Sequence, residues 1–167
     1  MKNMKADASN IQSLGCRGIK QATKYGPDLL SKFNNSELAQ FMTGGADKKS
    51  KEHKAAMRSL QRYRKGDRTP AEDTQKTITR AVRAEVKKNP RLLDRLVGSG
   101  QVIAKGTICY SADCRKRTVP VKMSASAMGE FLRTACEDGE EGENFLFEMK
   151  DIPGMYVQSG TISIQFD

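Results

Sequence analysis

The sequence has no tryptophan and only one histidine, His53, and its few cysteines are scattered. Neither a Cys2His2 site nor a pair of CxxC knuckles can be assembled from Cys16, Cys109, Cys114, Cys136 and this histidine, so we predict no metal and no cofactor. The same scarcity removes the usual acid-base pairs and activated nucleophiles, and there is no glycine-rich phosphate loop. We therefore expect that the protein is not a free-standing enzyme.

Long apolar runs are also missing. No segment approaches the roughly 18 apolar residues of a membrane span. The first residues, MKNMKADASN, lack the apolar core of a signal peptide. We expect a cytoplasmic protein without a membrane partner, and in that compartment reduced thiols. Cys109 and Cys114 flank a predicted hairpin turn where a disulfide is conceivable, but reduced cysteines remain the expectation.

Charge is plentiful and unevenly distributed. The chain carries 29 Lys and Arg against 20 Asp and Glu, a net charge of +9. Residues 1–100 hold 22 basic and 10 acidic residues, a balance of +12, whereas residues 101–167 hold 7 and 10, a balance of −3. Such an asymmetry is typical of a nucleic-acid-binding part joined to an association or regulatory part.

The segment from Ser36 to Arg68 predicts two helices joined by a glycine break. Ser36 is the expected N-cap of the first, and Gly66 ends the second, which is rich in Lys and Arg. This pattern is typical of a helix-turn-helix, although the connection from Gly44 to Ser50 is longer than the usual three or four residues. The plain alternative is a solvated surface helix.

The second helix, about residues 51–65, supplies the predicted DNA contacts. Arg and Gln side chains can pair with purine edges in the major groove, while Lys and Ser serve phosphates. We assign Arg58, Gln61 and Arg62 to base edges. The backbone contacts are assigned to Lys51, Lys54, Ser59, Arg64, Lys65 and Arg68.

The predicted fold class is α+β. Residues 1–97 are predicted to form a basic helical domain with helices from Asn10, Pro27, Ser36 and Thr69, and residues 98–100, Gly-Ser-Gly, a linker. Residues 101–167 predict a small ββαβ sheet with a packed helix: a strand pair around the turn at residues 111–114, a helix from Ser124 to Glu137 and a last strand from Gly160. Pro120 places its strand at an edge or in a bulge.

Three weaker segments leave alternatives open. Residues 1–8 are polar and are expected to be mobile. The acidic run from Glu137 to Glu143 is expected to be a solvated loop, with a contact for a basic partner as the alternative. The apolar segment from Phe145 to Tyr156 is either core or the interface of a homodimer formed through the C-terminal domain.

The sequence around SLQRYRKG at residues 59–66, the run from Ile78 to Val86 and the strand pair from Val102 to Met123 resemble the telomere-associated terminal proteins of linear actinobacterial chromosomes and plasmids. The resemblance covers residues 36–167 in the order of elements. It implies a protein that binds replicon ends and primes DNA synthesis from a side-chain hydroxyl, which becomes joined to a 5′ end. It does not identify that hydroxyl among Ser59, Tyr63, Thr69, Thr74, Thr77 and Thr79.

The function predicted from sequence is therefore sequence-selective binding of double-stranded DNA by a nucleoid-associated homodimer of a plasmid, phage or mobile replicon, in replication, end maintenance or transcriptional regulation. A replication protein is a further candidate partner. One alternative is the priming role, and another is an interaction protein whose C-terminal domain is the active part. Single-stranded nucleic acid is less favoured, because six Phe and four Tyr offer no stacking platform among the basic residues.

Overall fold

The computed structural model describes residues 3–167, which contain eight α-helices and four β-strands. They follow the chain in the order β1 Met4–Asp7, α1 Ile11–Ala22, α2 Pro27–Lys32, α3 Asn35–Met42, α4 Lys51–Lys65, α5 Glu72–Lys88, α6 Arg91–Val97, β2 Gly100–Tyr110, β3 Asp113–Met123, α7 Ala125–Glu137, α8 Gly139–Glu148 and β4 Met155–Phe166. The predicted mixture of helices and an antiparallel sheet is confirmed.

Two compact units divide this chain, and they differ from the predicted domains. Residues 23–92 form one unit, here called the helical unit. Residues up to Ala22 and from Leu93 to Asp167 form the other, the sheet unit. The predicted linker at 98–100 therefore lies inside the sheet unit, where Gly100 already belongs to β2. The helical unit is an insertion in the sequence of the sheet unit.

The sheet has the strand order β1-β4-β2-β3, and all its pairs are antiparallel. Alternation along the strands buries one face, and the register places Val121 beside Val102 and Val102 beside Ile164. The return strand β3 lies at the edge, as Pro120 predicted. The structure adds β1 to the three predicted strands, so part of the segment expected to be mobile is a strand.

Helices α1, α7 and α8 pack together in the sheet unit. Ser124 caps α7 by accepting the Ala127 N–H at 3.2 Å, as predicted. Gly15 lets α1 approach α7 closely, since a Cβ there would lie 2.6 Å from the backbone nitrogen of Cys136. The first helix was predicted to belong to the basic helical domain, but it lies in the sheet unit, where it packs against α7.

All four cysteines are in disulfides, so the prediction of reduced thiols is wrong. Cys16 of α1 is bonded to Cys136 of α7, with Cα atoms 4.6 Å apart. Cys109 and Cys114 face each other across β2 and β3, with Cα atoms 4.0 Å apart. Close helix packing in the first case and hairpin register in the second bring the sulfur atoms within bonding distance.

The acidic run is helical rather than a loop. Asp138 caps α8 by accepting the N–H groups of Glu140 and Glu141, and acids in a first helical turn favour the positive end of the helix. The apolar segment from Phe145 to Tyr156 contributes Leu146 and Phe147 to the core, which agrees with the first of its two interpretations. Met149 and Tyr156 stay exposed at 43% each.

Candidate nucleic-acid interface

The basic helix α4 is fixed at both ends. Ser50 accepts the N–H of His53 at 3.1 Å, and Gly66 ends the helix in the left-handed region with φ +77°. Leu60 is fully buried, and α4 packs against α3. Asn34 rather than the predicted Ser36 caps α3, through a capping box with Glu37. The chain thus presents α4 from a well-defined position in the helical unit.

Six of the nine predicted contact residues share one exposed face of α4. At about 100° of rotation per residue they fall within an arc of about 100°, and over fourteen residue steps the face is roughly 21 Å long. We call this face the basic stripe; its members are Lys51, Lys54, Arg58, Gln61, Arg62 and Lys65, and all are exposed. None of its five cations forms an ion pair with any residue from 3 to 167.

The three other predicted residues lie elsewhere. Ser59 is half-buried on the flank of α4, and Arg68 is exposed beyond its end. Arg64 projects from the side of the helix that packs. Its Nη2 donates to the Phe33 carbonyl at 2.7 Å and its Nε to Asn35 Oδ1 at 3.0 Å. The guanidinium group therefore ties α4 to the start of α3 while the residue stays exposed, and its contact with a phosphate stays a prediction.

Replacing Arg64 with Ala is expected to lower the free energy of unfolding by about 1–3 kcal/mol, because the Phe33 carbonyl loses a charged donor. Arg62→Ala is the matched control, since its side chain is exposed on the same helix; its effect should stay within about 0.5 kcal/mol. Urea unfolding followed by circular dichroism measures both. Equal stabilities for the two variants would show that Arg64 does not hold α3.

A groove of about 550 Å³ borders the stripe. Its lining combines three stripe residues with four residues that the sequence did not assign to DNA: Ser36, Lys48, His53, Lys54, Met57, Arg58 and Gln61. His53 is buried, and its Nδ1 has no hydrogen-bond partner in the described chain. His53, Met57 and Gln61 follow one another at intervals of four residues, and this spacing in the sequence indicates that they share a side of α4.

The whole net charge belongs to the helical unit. Residues 23–92 contain 17 Lys and Arg and 8 Asp and Glu, a balance of +9, whereas the rest of the sequence contains 12 of each and sums to zero. The contrast between the units, +9 against zero, is smaller than the +12 against −3 found on either side of residue 100, but the helical unit accounts for all of the net charge. A positive potential of this kind attracts polyanions and raises their rate of encounter.

A second basic surface of the helical unit lies along α5. Lys76, Arg80 and Arg83 line a groove of about 520 Å³ with Lys24, Tyr25 and Glu72, whose carboxylate forms an ion pair with Lys76 at 2.7 Å. The Tyr25 N–H donates to Thr79 Oγ1 at 3.0 Å, which joins the segment before α2 to α5. Burial, and secondly the nearby Tyr63 phenol, raise the pKa of Tyr25 above its ordinary value. Tyr25 is thus a neutral hydrogen-bonding group at neutral pH.

The described residues also bear on metal binding and on membrane insertion. Among residues 3–167 no three His, Cys, Asp or Glu side chains gather into a group that could hold a metal ion. The helices of this same range are all too short or too polar to cross a membrane.

Comparison of the chain with protein-family models, with curated proteins and with solved structures finds no match. Function must therefore be inferred from the chain's own residues.

Proposed function

We propose that the protein is a sequence-selective double-stranded DNA-binding protein of a plasmid, phage or mobile replicon, and that α4 enters the major groove. The observation that supports this most is the basic stripe, whose five cations and one amide are exposed on a single capped helix without ion pairs. The major groove is about 12 Å wide and admits an α-helix. Whether the role is replication, end maintenance or transcriptional regulation follows from the DNA site.

The stripe residues divide by chemistry. Arg58, Gln61 and Arg62 carry planar groups that can form paired hydrogen bonds with purine edges. Lys51, Lys54 and Lys65 are point charges suited to phosphates, and Ser59 and Arg68 flank them as further backbone contacts. The Arg58 Nε is 3.3 Å from the carbonyl of Lys54 on the same helix, so its guanidinium group is partly oriented before any DNA is bound.

Arg62→Ala is expected to weaken binding to the preferred duplex by about 1–3 kcal/mol and to relax preference at one base pair. Lys65→Ala should weaken binding to all duplexes similarly and reduce the slope of log K against log salt concentration by about 0.9. The preferred duplex is first recovered by selection from a random pool at near-physiological salt. An equal loss on preferred and random duplexes for Arg62→Ala would contradict the base contact.

The terminal-protein role stands as a second proposal, and it requires an accessible hydroxyl beside α4. Thr69 is exposed in the connection between α4 and α5. Thr77 instead donates to the Asp73 carbonyl at 2.9 Å, and Thr79 accepts the Tyr25 N–H. Transfer of a labelled deoxynucleotide to the chain by a polymerase, lost in Thr69→Ala, would support priming. The polymerase would then be the replication partner.

The homodimer is likewise part of this proposal. The exposed Tyr110, Met149 and Tyr156 are large apolar side chains of the sheet unit and offer candidate contacts. Sedimentation equilibrium of the full chain distinguishes monomer from dimer.

One observation opposes the proposed nucleoid location: the chain contains two disulfides, and structural disulfides are rare in cytosolic proteins. Alkylation of thiols in intact cells, followed by mass spectrometry, measures whether the cysteines are paired there.

A further inference from the structure

One face of the sheet carries mostly polar and basic side chains, and most of them are exposed or half-exposed to solvent. Along each strand the positions that alternate with the buried ones point to this side, here called the outer face. Its cations are Lys5, Lys105, Lys116 and Lys122, all of them exposed. Asp7, in β1, is the single acid that the described strands place there.

The outer face is basic although the sheet unit as a whole is neutral, because the acidic and basic residues of the unit lie in different places. The sheet unit has as many acidic as basic residues. Many of its acids, however, lie at the end of α7 and along α8: Glu137, Asp138, Glu140, Glu141, Glu143 and Glu148. The outer face consequently has a positive potential that the net charge of the unit does not reveal.

A groove of about 410 Å³ crosses the outer face at the middle of β2. Lys105 is paired with Thr118 in the register, and Lys116 is paired with Thr107, which also pairs with Ser159 of β4. The two lysines are diagonal neighbours, with Cα atoms about 7–8 Å apart. Two ammonium groups, three hydroxyl groups and the guanidinium group of Arg117, which is paired with Asp113, thus line one small depression.

The floor of this groove is bare backbone. Gly106 and Gly160 face each other across β2 and β4, with φ values of +145° and +146° that favour glycine. A Cβ on Gly106 would collide with the Ser159 carbonyl oxygen, and one on Gly160 with that of Lys105. The two strands therefore approach closely here, and no side chain from this pair fills the depression.

We propose that this groove is a second nucleic-acid-binding site, which holds backbone phosphates through Lys105 and Lys116. Ammonium and hydroxyl groups are the donors that proteins use for phosphate oxygens. No aromatic side chain lines the groove, so bases are not stacked there and binding is independent of sequence. The site shares its ligand class with α4 but does not depend on base reading by that helix.

Lysine acetylation of the full chain, with and without a random-sequence duplex, tests the proposal by mass spectrometry. Lys105 and Lys116 should lose at least half of their reactivity when the duplex is present, whereas exposed Lys150, in the turn after α8, should not. Protection of Lys54 and Lys65 alone would overturn the sheet site and leave the α4 proposal standing. Protection of Lys105 and Lys116 alone would support the sheet site and overturn the α4 proposal. If neither these two lysines nor Lys54 and Lys65 were protected, both proposals would be overturned.

A double variant supplies the energetic test. Lys105→Ala with Lys116→Ala should reduce the salt slope of random-duplex binding by about 1.8, since each phosphate contact contributes about 0.9. Both side chains are exposed, so the fold is retained, and Lys150→Ala is the control with an unchanged slope. An unchanged slope in the double variant would overturn the proposal. Protection of the two lysines by vesicles of anionic lipid, but not by duplex, would also overturn it and identify a membrane ligand instead.

Discussion

Replacing both Cys16 and Cys136 with Ala is expected to lower the free energy of unfolding by about 3–5 kcal/mol. The disulfide joins residues 120 positions apart, and the chain-entropy model assigns a loop of that length about 5 kcal/mol. The crosslink restricts the unfolded chain more than the folded one, in which α1 and α7 are already in contact. Urea unfolding of the oxidised chain and of the double variant, followed by circular dichroism, gives the difference.

The second disulfide is the matched control for this result. Cys109 and Cys114 are five positions apart, and the same model assigns so short a loop only about 2 kcal/mol. The Cys109→Ala, Cys114→Ala variant should therefore lose less stability than the first, by about 1–3 kcal/mol. If the two double variants were equally stable, the long-range bond would not be restricting the unfolded chain.

Gly15→Ala is expected to destabilise the protein by about 1–3 kcal/mol, although Ala is normally the better helix former by about 1 kcal/mol. The new methyl group would lie 2.6 Å from the Cys136 nitrogen and 2.8 Å from the Leu132 carbonyl oxygen. Both are backbone atoms of α7 and cannot rotate away. The two helices would have to separate, and buried contacts between them would be lost.

Gly18 provides the comparison on the same helix. A Cβ at Gly18 would also come within 2.6 Å of a neighbour, but that neighbour is Cδ2 of the Leu132 side chain, which can change rotamer. Gly18→Ala should therefore cost less than Gly15→Ala in thermal or urea unfolding. A gain of stability in Gly15→Ala would show that α1 and α7 are not in close backbone contact.

The elements predicted best from the sequence are those whose periodicity and capping residues lie within the element. Ser124 followed by an apolar stripe predicted α7, and alternation predicted β2, β3 and β4. The exposed stripe of α4 was also predictable, because residues three and four apart share a helix face. In these cases the periodicity and the caps lie within the element itself.

The features that sequence missed depend on partners far along the chain. The strand β1 has only Met4 and Ala6 as buried residues, and it is formed by pairing with β4. The role of Arg64 depends on the Phe33 carbonyl, which local spacing does not reveal. The outer-face groove takes its lysines from two strands, and its glycine floor needs the register of a third.

The pairing of Met4 with Ile164 has a consequence for synthesis of the chain on the ribosome. Domains generally fold as units, the N-terminal one first, while the ribosome adds about 5–20 residues per second to the chain. The helical unit is complete once Leu92 has emerged, whereas β1 must wait for the last strand to be translated. A nascent chain that stalls between Leu92 and Ala125 therefore carries a complete basic unit while α1 still lacks its partner, α7.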